Sequence, residues 1–181
     1  MEPMTMKLKA AIIFALASTL LTISGCPQTS KRQSTSKVFL PPEVVGTWKA
    51  RESPWKIVLN PDGTVASAVI DMGTVAVKPN QTTKVEMKHG EFSTFKAGNC
   101  EVEYTPETRE LFVSIEMKKI HVVFPNDSLD GNSLDMFIGP VSEDGKEWTA
   151  DWIKVFDYGP RFPQDPNDIL AQPLIFEKIK E

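Results

Sequence analysis

From Glu101 onward, apolar residues recur at every second position in short runs, and each run ends on a turn signal. Val102 and Tyr104 alternate with Glu101, Glu103 and Thr105; Pro106-Glu107-Thr108-Arg109 then turns the chain, and Leu111, Val113, Ile115 and Met117 alternate with Phe112, Ser114 and Glu116. A period of two sends successive side chains to opposite faces of a strand, so this stretch reads as a hairpin with one wet face. Lys119 to Phe124 continues as a strand with Ile120, Val122 and Phe124 on one side. The same punctuation recurs along the chain. Asn60-Pro61-Asp62-Gly63 separates WKIVL from TVASAVI, Lys88-His89-Gly90-Glu91 separates KVEM from FSTF, and Glu143-Asp144-Gly145-Lys146 separates LDMFIGPV from EWTADWIKVF. With Val44 to Arg51, Met72 to Lys78 and the terminal Leu174 to Ile179, about ten short strands arise at the spacing of a sandwich or barrel. Sequential hairpins favour an all-β, single antiparallel up-and-down barrel of about 8–10 strands, its last strand closing on its first, because closure removes exposed edges. Only Asp157 to Gln172, rich in Pro, breaks the pattern; it is expected as a long loop over one barrel end, with a helical turn near Asp168 to Ala171.

The N-terminus obeys different rules. Lys7 and Lys9 precede an apolar run from Ala10 to Ile23, and Ser24-Gly25 follow before Cys26. That is the order of an export signal, and the run falls short of the roughly 20 apolar residues a membrane-spanning helix needs. Met1-Glu2-Pro3 adds an acid that such leaders rarely carry, which makes Met6 a second candidate start. The string Ile23-Ser24-Gly25-Cys26 resembles the lipobox of bacterial lipoproteins. The resemblance implies a diacylglyceryl group on the Cys26 thiol, cleavage between Gly25 and Cys26, and acylation of the new amine. Two or more chains make such an anchor stable where one is marginal. Position 27 is Pro, not the Asp that retains enteric lipoproteins at the inner membrane, which points to the outer membrane in a Gram-negative cell. Gln28 to Lys37 is polar and aperiodic, a tether whose Lys31, Arg32 and Lys37 can graze anionic lipid. The chain thus divides into a signal peptide (1–25), a lipid-anchored tether (26–40) and a barrel domain (41–181).

Losing Lys7, Lys9 and Glu2 from 20 basic and 24 acidic residues leaves 18 and 23, a net charge near −5. No basic cluster larger than Lys118-Lys119 follows the tether, which argues against a nucleic-acid partner. With Cys26 lipidated, Cys100 has no partner, so no disulfide is expected, and between Asn99 and Glu101 it reads as a small buried hydrophobe.

Val45-Gly46-Thr47-Trp48, followed by WKIVLNPDGT, resembles the start of lipocalin-like barrels, as does the cadence from Phe137 through Asp144-Gly145 to Trp148 in small envelope lipoproteins. The resemblance covers about 25 residues and implies a barrel in which Trp48 plugs the closed end and Gly46 admits the N-terminal segment; lipocalins also carry disulfides and an Arg over that Trp, which this sequence does not reveal. Trp48, Trp55, Trp148 and Trp152 are the candidate ligand-lining side chains, with core packing as the alternative, and Trp148 and Trp152 share one strand face. Asn126 to Asp135 has oxygen ligands spaced somewhat like a calcium loop, but its register puts Phe137 where a bidentate Glu belongs, so a solvated hairpin is expected and no metal. His89 and His121 lack a neighbouring nucleophile motif, and no HExxH, GxSxG or CxxC occurs. No enzyme activity, catalytic residue or cofactor is therefore expected. The sequence supports an envelope lipoprotein, anchored at Cys26 and facing periplasm or exterior, whose barrel holds a small apolar or amphipathic ligand; the alternative is a solid barrel that binds an envelope protein, with the loop Tyr158 to Pro166 as the contact.

Overall fold

A computed structural model describes residues 39–70, 75–88, 90–166 and 169–180. By its internal contacts the chain falls into two units, 1–35 and 36–181, and every described residue belongs to the second. The expected signal peptide (1–25), Cys26 and the expected tether as far as residue 38 lie outside the described residues.

The described residues form strands and no α-helix: β1 (Gly46–Ala50), β2 (Lys56–Leu59), β3 (Val65–Ile70), β4 (Val75–Val77), β5 (Thr82–Glu86), β6 (Phe92–Thr105), β7 (Glu110–Phe124), β8 (Asp127–Pro140), β9 (Glu147–Asp157) and β10 (Gln172–Ile179). They make one antiparallel sheet in the order β4-β3-β2-β1-β10-β9-β8-β7-β6-β5. Every neighbouring pair but one is consecutive in the chain, which is the up-and-down meander, and β1 pairs β10 from Thr47↔Ile179 to Ala50↔Phe176. First and last strands therefore close on each other. The two ladder edges meet instead between β4 and β5, where Thr83 Oγ1 donates to the Ala76 carbonyl at 3.0 Å, so the barrel is nearly closed.

Turn chemistry fixes the registers. At Asn60–Thr64, Gly63 takes φ +74°, a conformation that costs a β-carbon residue dearly, and Asp62 Oδ1 accepts from both the Thr64 amide and its hydroxyl.

Some expectations change. The separate runs FSTF and Glu101 to Thr105 are one strand, β6, interrupted by register shifts between Lys96 and Cys100. Leu111 to Met117 and Lys119 to Phe124 are likewise one strand, β7, shifted between Met117 and Ile120. The bulges keep the core side apolar: Met117 and Ile120 are both buried although three residues apart, which an unbroken period of two forbids. The expected solvated hairpin at Asn126 to Asp135 forms: the chain turns back from β7 at Pro125-Asn126, and Asp127 to Asn132 is largely exposed. From Asp127 onward it is β8, paired along β7 from Phe124↔Asp127, because its oxygen-bearing residues alternate with Leu129 and Gly131 and its backbone is satisfied by the ladder. The expected strand at Met72 to Lys78 is described only at Val75–Val77, and the described residues of the helical turn expected near Asp168, 169–171, are not helical.

Candidate functional site

The barrel has a closed base, built from the segment that enters it. Trp48 is fully buried and its Nε1 donates to the Val44 carbonyl at 2.8 Å, tying β1 to the entering chain. Gly46 holds φ +122°, and a β-carbon there would press on Lys178. Lys178 lies with Nζ 5.7 Å from the centre of the Trp48 ring and donates to the carbonyls of Pro42 and Glu43, so the cation over that ring comes from the last strand. Its burial pulls the amine below its ordinary pKa. Trp148 meets Trp48 edge-on at 6.2 Å and stacks on Phe176 at 4.7 Å. Its Nε1 donates to the Gly139 carbonyl at 3.1 Å, and position 139 must be glycine because a β-carbon would run into the Thr149 carbonyl oxygen.

Above the base the apolar core takes in a small polar layer around Asp135. Phe137 connects the layers, touching Phe176, Trp148, Trp55 and Trp152. Trp55 and Trp152 meet edge-on at 5.9 Å. Asp135, two residues before Phe137 on the same face of β8, is only 2% exposed; its Oδ1 accepts from Trp152 Nε1 at 3.0 Å and its Oδ2 from Ser133 Oγ at 3.3 Å. Lys154 stands opposite Asp135 in the β8–β9 register, its Nζ 5.9 Å from the Trp152 ring. A carboxylate in such a place needs donors and a nearby cation to offset lost hydration, and the cluster supplies both. Trp55 Nε1, by contrast, is buried with no hydrogen-bond partner.

The structure thus divides the four tryptophans, with Trp48 and Trp148 in the base and Trp55 and Trp152 beside Asp135. Trp48, Trp55, Trp148, Phe137, Phe176, Ile57, Leu111 and Ile115 have no surface that a water molecule can touch. They border no cavity large enough for one.

The long loop is fastened rather than draped. β9 runs past the start of β10, and there the Gln164 side chain replaces the missing ladder, accepting from the Phe156 amide and donating to the Lys154 carbonyl, both at 2.9 Å. Arg161 pairs with Asp127 at the start of β8, holding that carboxylate below its ordinary pKa, and Tyr158 stacks on Phe156 at 4.6 Å.

Outside the barrel, a groove of about 620 Å³ lies over β6 to β9, floored by Phe112, Leu134, Met136 and Val155. These residues are register neighbours on the solvent side: Phe112 faces Ile138, Met136 faces Ile153, and Leu134 faces Val155. At the upper end, Glu116 folds over the β6 bulge and accepts from the Asn99 amide at 3.0 Å, a position its carboxylate holds only because residue 98 is glycine.

Of the histidines, His89 lies outside the described residues and His121 pairs with Asp130 across β7 and β8 at 2.9 Å. Burial pushes the half-buried Cys100 thiol up to about 11, so it is protonated and unreactive near neutral pH. Among the described residues no cluster of His, Cys, Asp or Glu could hold a metal, and no helix is long and apolar enough to cross a membrane. Comparison with family models, characterised proteins and solved structures gives no match to this chain. Sequence reasoning found the tryptophans but missed Asp135 and the apolar outer row. Leu134, Met136 and Ile138 bracket Phe137 in an apolar run that has no visible wet side, and that ambiguity was the available signal.

Proposed function

We propose that the protein is a lipoprotein of a bacterial envelope, anchored through Cys26, whose barrel is a solid scaffold that binds another envelope protein. The observation that carries the choice over a ligand carrier is the packed interior. Pockets for small molecules are concave and partly open, whereas here seven aromatic contacts link Trp48, Trp55, Trp148, Trp152, Phe137 and Phe176 into one mass, and all but Trp152 are fully buried. The order Lys7-Lys9, apolar run, Ser24-Gly25-Cys26 supports the anchor, and the scarcity of catalytic motifs supports a binding role.

Mass spectrometry of the protein extracted from its own membranes in mild detergent tests both halves. The expected result is an N-terminal peptide that begins at a diacylglyceryl-modified Cys26 and an intact mass with no stoichiometric small molecule. A mature N-terminus elsewhere would remove the anchor; a retained small molecule at one per chain would return the barrel to a carrier.

A further inference from the structure

The outer face of the barrel is built in two ways. Around β1, β9 and β10 it is ionic: Arg51 bridges Glu147 and Glu177, each at 2.7 Å. Over β7, β8 and β9 it is apolar, with Phe112, Leu134, Met136, Ile138, Ile153 and Val155 contiguous by register and Ile138 and Val155 each 38% exposed. Carboxylates frame this stripe. Glu103 and Glu101 stand beside Phe112 and Ser114 on the β6 side, Glu110 precedes Phe112 on β7, and Asp151 faces Ile138 from β9. None of these four forms an ion pair among the described residues; Lys118, at the upper end, is occupied by Glu116.

Resting on the scaffold reading above, we infer that this stripe is the docking surface, and that its occupant is a protein segment with an apolar centre flanked by Lys or Arg. Contiguous exposed apolar surface rimmed by polar groups marks interaction sites on monomers. The rim selects among occupants. A second copy would bring two sets of four unpaired carboxylates together, and like-charge juxtaposition across an interface is costly. An anionic lipid surface is repelled by the same charges. The chain's own Gln28 to Lys37 offers cations but no apolar residue to cover Phe112 and Met136. A basic segment with an apolar centre satisfies both the floor and the rim.

The test is site-specific photo-crosslinking in cells of the source bacterium that express the full chain. A photoreactive residue is placed at Met136, at Val155 in a second variant, at Lys49 on the ionic face, or at Phe162 in the long loop, each purified variant being checked by circular dichroism. The expected result is one discrete protein adduct from Met136 and Val155, absent from Lys49 and Phe162, whose cross-linked peptide is apolar and flanked by Lys or Arg. Reversing the rim with E103K and D151K should lower the adduct yield about tenfold, as removal of complementary charge slows encounter. Adducts with a second copy or with lipid, or an adduct yield indifferent to the rim reversal, would overturn the inference. Adducts from Lys49 or Phe162 alone would overturn it while leaving a protein-binding scaffold intact; no protein adduct at any of the four positions would overturn the scaffold as well.

Discussion

The two faces of β8 reverse the usual assignment of polarity. From Ser133 to Gly139 its inward row, Ser133, Asp135, Phe137 and Gly139, contains a buried carboxylate, while the outward residues between them, Leu134, Met136 and Ile138, are all apolar. The inner face can hold Asp135 because Trp152 and Ser133 donate to it. The outer face can hold three apolar residues because nothing in the fold requires that side of a strand to be polar; it is tolerated surface, available for contact. Alternation therefore fixes which residues share a face without fixing which face is wet.

Substitutions can break or sharpen that contrast, and the inner row should respond most. Phe137→Ala removes the ring that joins the base to the polar layer, and we expect about 3–5 kcal/mol of destabilisation, read from urea unfolding. A loss below about 1 kcal/mol would mean the interior is not tightly packed. Asp135→Ala strands the Trp152 and Ser133 donors inside the barrel and should cost about 2–3 kcal/mol by the same assay. Next comes a pair: Trp148→Phe leaves the Gly139 carbonyl without its indole partner, whereas Trp55→Phe deletes an N–H that has none. The first should therefore be the more destabilising by about 1 kcal/mol, and equal losses would show that the Trp55 N–H finds a partner in solution. Met136→Gln on the outer row should shift stability by no more than about 0.5 kcal/mol in thermal unfolding. A large loss there would erase the distinction between the rows.

Much of the architecture was legible because local chemistry and fold agree. The turn residues at Asn60–Gly63 and Glu143–Lys146 mark hairpins that form, the closure of β10 on β1 follows from strand count and edges, and Trp48 stands in the base. The bulges were not legible. A shift between Met117 and Ile120 is visible only as two buried residues at odd spacing, and Lys118-Lys119 between them reads equally well as an outward pair. Asp135 was hidden for a different reason: an acid in a strand is ordinarily exposed, and its donors Trp152 and Ser133 come from positions 17 and 2 residues away that only the ladder aligns. Gln164 replacing a ladder by its side chain left no pattern at all. The proposed anchor at Cys26 and the proposed partner belong to parts of the problem that strand periodicity does not touch.

The way the chain enters the barrel also governs how it resists force. Leu40 is held to the Pro61 carbonyl, Pro42 and Glu43 are gripped by Lys178, and β1 begins at Gly46 between β2 and β10. A load entering at residue 39 passes through these bonds to β1, which two ladders hold, where an edge strand such as β4 is held by one. A barrel anchored through the proposed Cys26 site would thus take up tension at an interior strand of its sheet, and keep its shape under loads that would strip an edge.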